Sequence, residues 1–110
     1  MTSETEVVMV TSDEVPGRNI AKVLGMVRGN SVRARNIGRD IQAGIRTIVG
    51  GRVGVYAELL EQSRDEAIEK MVEEARSMGA NGIVTARLAT SQIMGNAAEV
   101  LAYGTAVQLE

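Results

Sequence analysis

The sequence predicts an α+β fold: an antiparallel β-sheet packed on one long α-helix, with a short helix beside it. Three observations lead there. Residues 55–78 carry an apolar stripe at helical spacing, with charge on the other faces. The C-terminal third holds two strand-like runs separated by a segment containing Gly95-Asn96, a favourable hairpin signal. The N-terminal third opens on a β-branched run followed by the only proline. The resulting order is β, β, short helix, long helix, β, β, which closes when the long helix covers one sheet face.

The elements follow from local chemistry. Residues 1–5 are polar and expected to be a flexible N-terminus; residues 6–110 form a single domain. Glu6 to Thr11 (EVVMVT) reads as a buried strand, and Ser12 to Gly17, with Asp13, Pro16 and Gly17, as a turn. Residues 18–35 are ambiguous. Ile20, Val23, Leu24 and Val27 fit a helix by spacing, but Gly25 and Gly29 weaken it, each costing about 1 kcal/mol relative to Ala inside a helix. An extended segment, bent or bulged near Gly25 or Gly29, is the preferred reading.

In residues 36–49, Ile37, Ile41, Ile45 and Ile48 line one helical face, Asn36 can cap its start, and Gly50 and Gly51 are expected to stop it. The long helix follows, from Val55 to Met78. Its stripe is Leu60, Ala67, Met71, Ala75 and Met78, widened by Ile68 and Val72, and Gly79 caps its end. Asn81 to Ser91 and Ala98 to Leu109 are the closing strands, joined by a loop over residues 92–97. In the second, Leu101, Tyr103, Thr105, Val107 and Leu109 share one side.

Composition narrows function. The chain has 110 residues, no Cys, no His, no Trp and no Phe, and a net charge of −2. Thiolate and imidazole metal sites, disulfides, thiol nucleophiles and His general bases are therefore impossible within it. The charge balance gives no footprint for nucleic acid, and no apolar run approaches the ~20 residues of a membrane helix. Its acidic, polar start is not a secretory signal, so a cytoplasmic protein is expected. The core must be built from Val, Ile, Leu, Met and Ala, without the large burial that aromatic rings supply. Such a thin core is a first reason to expect that contacts with further copies add stability.

The candidate functional residues lie between the second strand and the first turn of the long helix. Arg46 or Arg52 can pair with Asp40 or Glu58, within or between subunits, and this is the favoured role for arginines of this kind. The competing reading is an anion site, with Gly50-Gly51 amides and Arg52 around a phosphate or carboxylate. Neither a Walker lysine nor a GxGxxG sharpens it. Tyr56 lies one helical turn from Arg52 and is expected in a core or interface. The methionines on the strand and helix stripes read as core filler. For a divalent cation, one route remains: Asp40 or Glu58 repeated around a ring of subunits. No motif points to catalysis, so a non-enzyme is expected, and no cofactor is indicated.

The stretch from Ile37 to Tyr56, IGRDIQAGIRTIVGGRVGVY, resembles the signature of the YbjQ-like family. The matching residues are Arg39-Asp40, Gly44-Ile45-Arg46, Ile48-Val49-Gly50-Gly51-Arg52 and Tyr56. The Gly79-Ala80-Asn81-Gly82-Ile83-Val84 run and the closing Gly104-Thr105-Ala106-Val107 match as well. The resemblance implies a dodecin-like subunit assembled into a ring, a homopentamer, and it brings a heavy-metal-binding label. It also supports the extended reading of residues 18–35. Dodecin-like rings can stack flavin between aromatic side chains, a mode not open to a chain without Trp.

Overall fold

The structure is a computed structural model and describes residues 6–33, 49–94 and 97–110. The described elements are β1 (Val8–Met9), β2 (Ile20–Arg33), α1 (Val49–Ser77), β3 (Gly82–Met94) and β4 (Ala97–Leu109). They form one four-stranded sheet in the order β1-β3-β4-β2. The predicted short helix over 36–49 and the flexible segment 1–5 fall outside the described residues, except for Val49, which belongs to α1.

The α+β class holds, but the sheet is mixed rather than antiparallel. β2, β4 and β3 are antiparallel neighbours, whereas β1 runs parallel to β3. The physical reason is the turn after β1. Val15 O accepts the Arg18 N–H at 3.0 Å across Pro16 and Gly17, and Gly17 has φ 82°, as the third residue of a type II turn requires. The chain then enters β2 on the far side of β4 instead of doubling back beside β1. β1 is also shorter than the predicted strand, although its ladder continues: Val10 and Ser12 carbonyls accept the N–H groups of Ala86 and Thr85.

Within the ambiguous stretch, Ile20–Arg33 form a strand, β2. β2 shows register shifts between Ile20 and Lys22 and between Val23 and Gly25, so the bulge lies at the first of the two suspected glycines. Gly25 has φ 133°, a conformation side chains disfavour. Gly29 serves a different purpose. A Cβ there would overlap the Ala67 carbonyl and the Met71 amide, so the missing side chain lets α1 lie directly on β2.

The long helix is longer than predicted at its start and ends as expected. Gly79 N donates to Arg76 O at 2.9 Å and Ala80 N to Ala75 O at 3.0 Å, the paired bonds of a Schellman motif, with Gly79 at φ 85°. Ala75 and Ala80 both enter the core, which adds the apolar contact that accompanies this motif.

The main core lies between α1 and the sheet: Ala67, Met71 and Ala75 from the helix, Val27 from β2, Ile83 and Ala86 from β3, and Val100, Ala102 and Ala106 from β4. The expected apolar side of β4 is thus the other face. Val107 and Leu109 are buried there with Val84 under Val8, Val10 and Val15, while Tyr103 remains 37% exposed. The N-terminal segment covers only that end of the back face. α1 packs on β2 and β4 and barely reaches β3. No described helix is long and apolar enough to cross a membrane.

Candidate functional site

Of the residues singled out from the sequence, Asp40 and Arg46 lie outside the described residues. Gly50, Gly51, Arg52 and Tyr56 are all helical, within α1. This corrects the expectation that Gly50-Gly51 ends one helix and opens a loop before the next. Two helical glycines cost about 1 kcal/mol each, and a 29-residue helix docked on a sheet can absorb that cost. Gly50 and Gly51 lie in the first turn of α1 and not in a loop ahead of it. Glu58 is on the same helix and exposed.

Three charged side chains of α1 hold it to β2. Ser31, fully buried on β2, donates its hydroxyl to Glu66 Oε1 at 2.5 Å. Lys70 Nζ donates to the Asn30 carbonyl at 3.0 Å, and Glu74 Oε1 accepts the Arg28 N–H at 2.8 Å. Arg76 pairs with Glu73 along the helix. The spacing of Glu66, Lys70 and Glu74, four residues apart, was visible in the sequence, but their strand partners were not.

Asn81, expected to begin a closing strand, ties strands together through its side chain. Its side chain donates through Nδ2 to Leu109 O at 3.1 Å and accepts the Leu109 N–H through Oδ1 at 2.6 Å. Its own N–H reaches Val107 O and its carbonyl takes the Val8 N–H. One residue thus ties the end of β4 to the start of β3 and to β1.

Two surfaces remain uncovered among the described residues. On the back face, Arg28, Tyr103 and Arg87 stand side by side across β2, β4 and β3. Met26 (68% exposed) and Val32 (50%) flank this row on β2. Arg87 is turned toward the N-terminal segment, donating to Thr11 O at 2.8 Å. On the helix side, α1 stops short of β3 and leaves an apolar groove lined by Met9, Ile68, Met71, Ala86 and Leu88.

The comparisons with known proteins agree with this architecture. A family model described as "YbjQ_1: Putative heavy-metal-binding" matches residues 7–110. The chain belongs to the YbjQ family. A relative from Archaeoglobus fulgidus named "UPF0145 protein" is 49% identical over 106 residues, covering 96% of this chain and 98% of its own length. Another "UPF0145 protein", from Halobacterium salinarum, is 54% identical over 100 residues, covering 91% and 96%. A crystal structure of a protein of unknown function from Pediococcus pentosaceus, assigned to the DUF74 family, superposes with a TM-score of 0.69 at 19% identity. It covers 94% of this chain and 98% of its own, and shows a shared fold. None of these descriptions names a catalytic activity.

The heavy-metal description can be tested against this YbjQ chain's donors. Soft metals take thiolate, imidazole or thioether ligands, and only thioethers exist here. Met71 is 1% exposed within the main core, and Met26 is out on the back face. Among the described residues no group of three or more His, Cys, Asp or Glu could hold a metal ion.

Proposed function

We propose that this YbjQ-family chain is a dodecin-like subunit of a homo-oligomeric ring, a pentamer, with a structural or ligand-binding role and no catalysis. The observation that carries the reading is apolar exposure on both sides of the sheet among the described residues. Val23, Met26, Val32 and Leu88 are between 47% and 68% exposed on a chain whose core contains no Phe or Trp. Exposed apolar area on this scale marks a surface that another molecule covers. The extended shape agrees: the radius of gyration is 17.4 Å, against about 13 Å for a compact domain of 100 residues.

Any ligand is then held between subunits, where symmetry multiplies the few suitable residue types. Glu58, exposed on α1, is available to such a contact, and Asp40, Arg46 and Arg52 are proposed with it from their place in the sequence. Light scattering with mass analysis tests the assembly, and a monomer at micromolar concentration would end the proposal. Arg52→Ala separates the roles. Loss of the assembly assigns Arg52 to the contact, whereas an intact ring that no longer responds to inorganic phosphate or divalent cations in a thermal-shift titration assigns it to a ligand.

A further inference from the structure

Among the described residues, β2 is an edge strand of 14 residues. Edge strands of this length offer a row of unpaired N–H and C=O groups to any passing strand, and proteins suppress that hazard in identifiable ways. In an antiparallel pair, alternate residues turn both backbone groups toward the partner and the others turn both away. Arg28 and Asn30 are of the second kind, opposite Tyr103 and Leu101. Their outward groups are nevertheless occupied. The Arg28 N–H is taken by Glu74 Oε1 at 2.8 Å, and the Asn30 carbonyl by Lys70 Nζ at 3.0 Å.

We infer that Lys70 and Glu74 form a clamp that closes the β2 edge against strand addition by a second copy of this chain. The two sit one helical turn apart, matching successive outward-facing residues of the strand. The clamp depends on Gly29, between the two occupied positions, where the absent side chain lets α1 approach near enough for its side chains to reach over the edge. Upstream, the register shifts at Ile20 to Lys22 and Val23 to Gly25 break the regular spacing that an added strand would need. Bulge and clamp together leave no uninterrupted run of free groups between Ile20 and Asn30. Assembly of the chain then proceeds through surfaces other than the Ile20–Asn30 stretch of this edge, whatever the size of the wild-type assembly.

Hydrogen exchange resolved by residue, together with light scattering, tests the clamp. Glu74→Ala is expected to speed exchange of the Arg28 amide by about tenfold, the loss of one charge-assisted hydrogen bond. Glu74→Gln keeps an acceptor oxygen and should restore most of the protection. The double variant Lys70→Ala, Glu74→Ala should form species larger than the wild-type assembly, with an intermolecular β-sheet band in the infrared and the helical dichroism retained. Unchanged Arg28 exchange and unchanged mass in the double variant would overturn the inference. So would growth in mass accompanied by loss of the helical signal, because unfolding and not an opened edge would then drive association.

Discussion

At Gly29 a single hydrogen atom decides how near α1 lies to the sheet. The neighbours a Cβ would meet are backbone atoms of Ala67 and Met71, which cannot rotate away. Gly29→Ala is expected to destabilise the fold by about 1–3 kcal/mol, seen as a lower midpoint in urea denaturation. Thr85 is the opposite case. It holds φ 54°, in a β-bulge between Val84 and Arg87, while its N–H bonds to Ser12 O at 2.8 Å. The left-handed conformation costs a residue with a Cβ about 1–2 kcal/mol, and a glycine there would lose about 0.5–1 kcal/mol to chain entropy. Strain relief wins, so Thr85→Gly should raise stability by about 0.5–1 kcal/mol, measured in the same denaturation series. Gly29 was visible in the sequence as an interruption, without its purpose. Thr85 was not visible, because a threonine in a strand satisfies every local preference.

Between elements, the ties of Asn81 show how one side chain can stand in for a strand neighbour. Asn81→Asp keeps the acceptor for the Leu109 N–H and removes the donor to the Leu109 carbonyl, placing a carboxylate against it. A loss of about 1–3 kcal/mol is expected. Amide exchange should quicken at Leu109 and Val8 before it does at Val100, in the core; uniform quickening would show that Asn81 is not a local tie. The elements themselves were largely legible. The stripe from Leu60 to Met78 and the Schellman glycine marked the helix and its end, and Gly25 marked the bulge. The start of α1 was not legible, since Gly50 and Gly51 are poor helix formers and yet lie in its first turn. The two faces of β4 were separated correctly, but the one that meets the helix was not legible. A period of two separates the faces without saying which is inside, and the helix selected small residues, Ala102 and Ala106, over Leu101 and Tyr103.

For the whole molecule, the principal extents of 55 × 32 × 23 Å describe a long body with a thin core. If copies of the chain cover the exposed Met26, Val32 and Leu88, folding and association are linked, and stability depends on concentration. The melting temperature should then rise as protein concentration is raised a hundredfold; one that stays constant would mean the subunit is stable alone. By itself the sequence determined the α+β class, the elements on either side of residues 34–48, the helix stop at Gly79, and a donor set without Cys or His. These follow from local propensity and composition, which act over a few residues. Only the tertiary structure decided that β1 lies parallel beside β3, that small residues face the helix, and that Lys70 and Glu74 close the β2 edge. Each depends on groups dozens of residues apart meeting within hydrogen-bond or van der Waals range, a condition that no local pattern encodes.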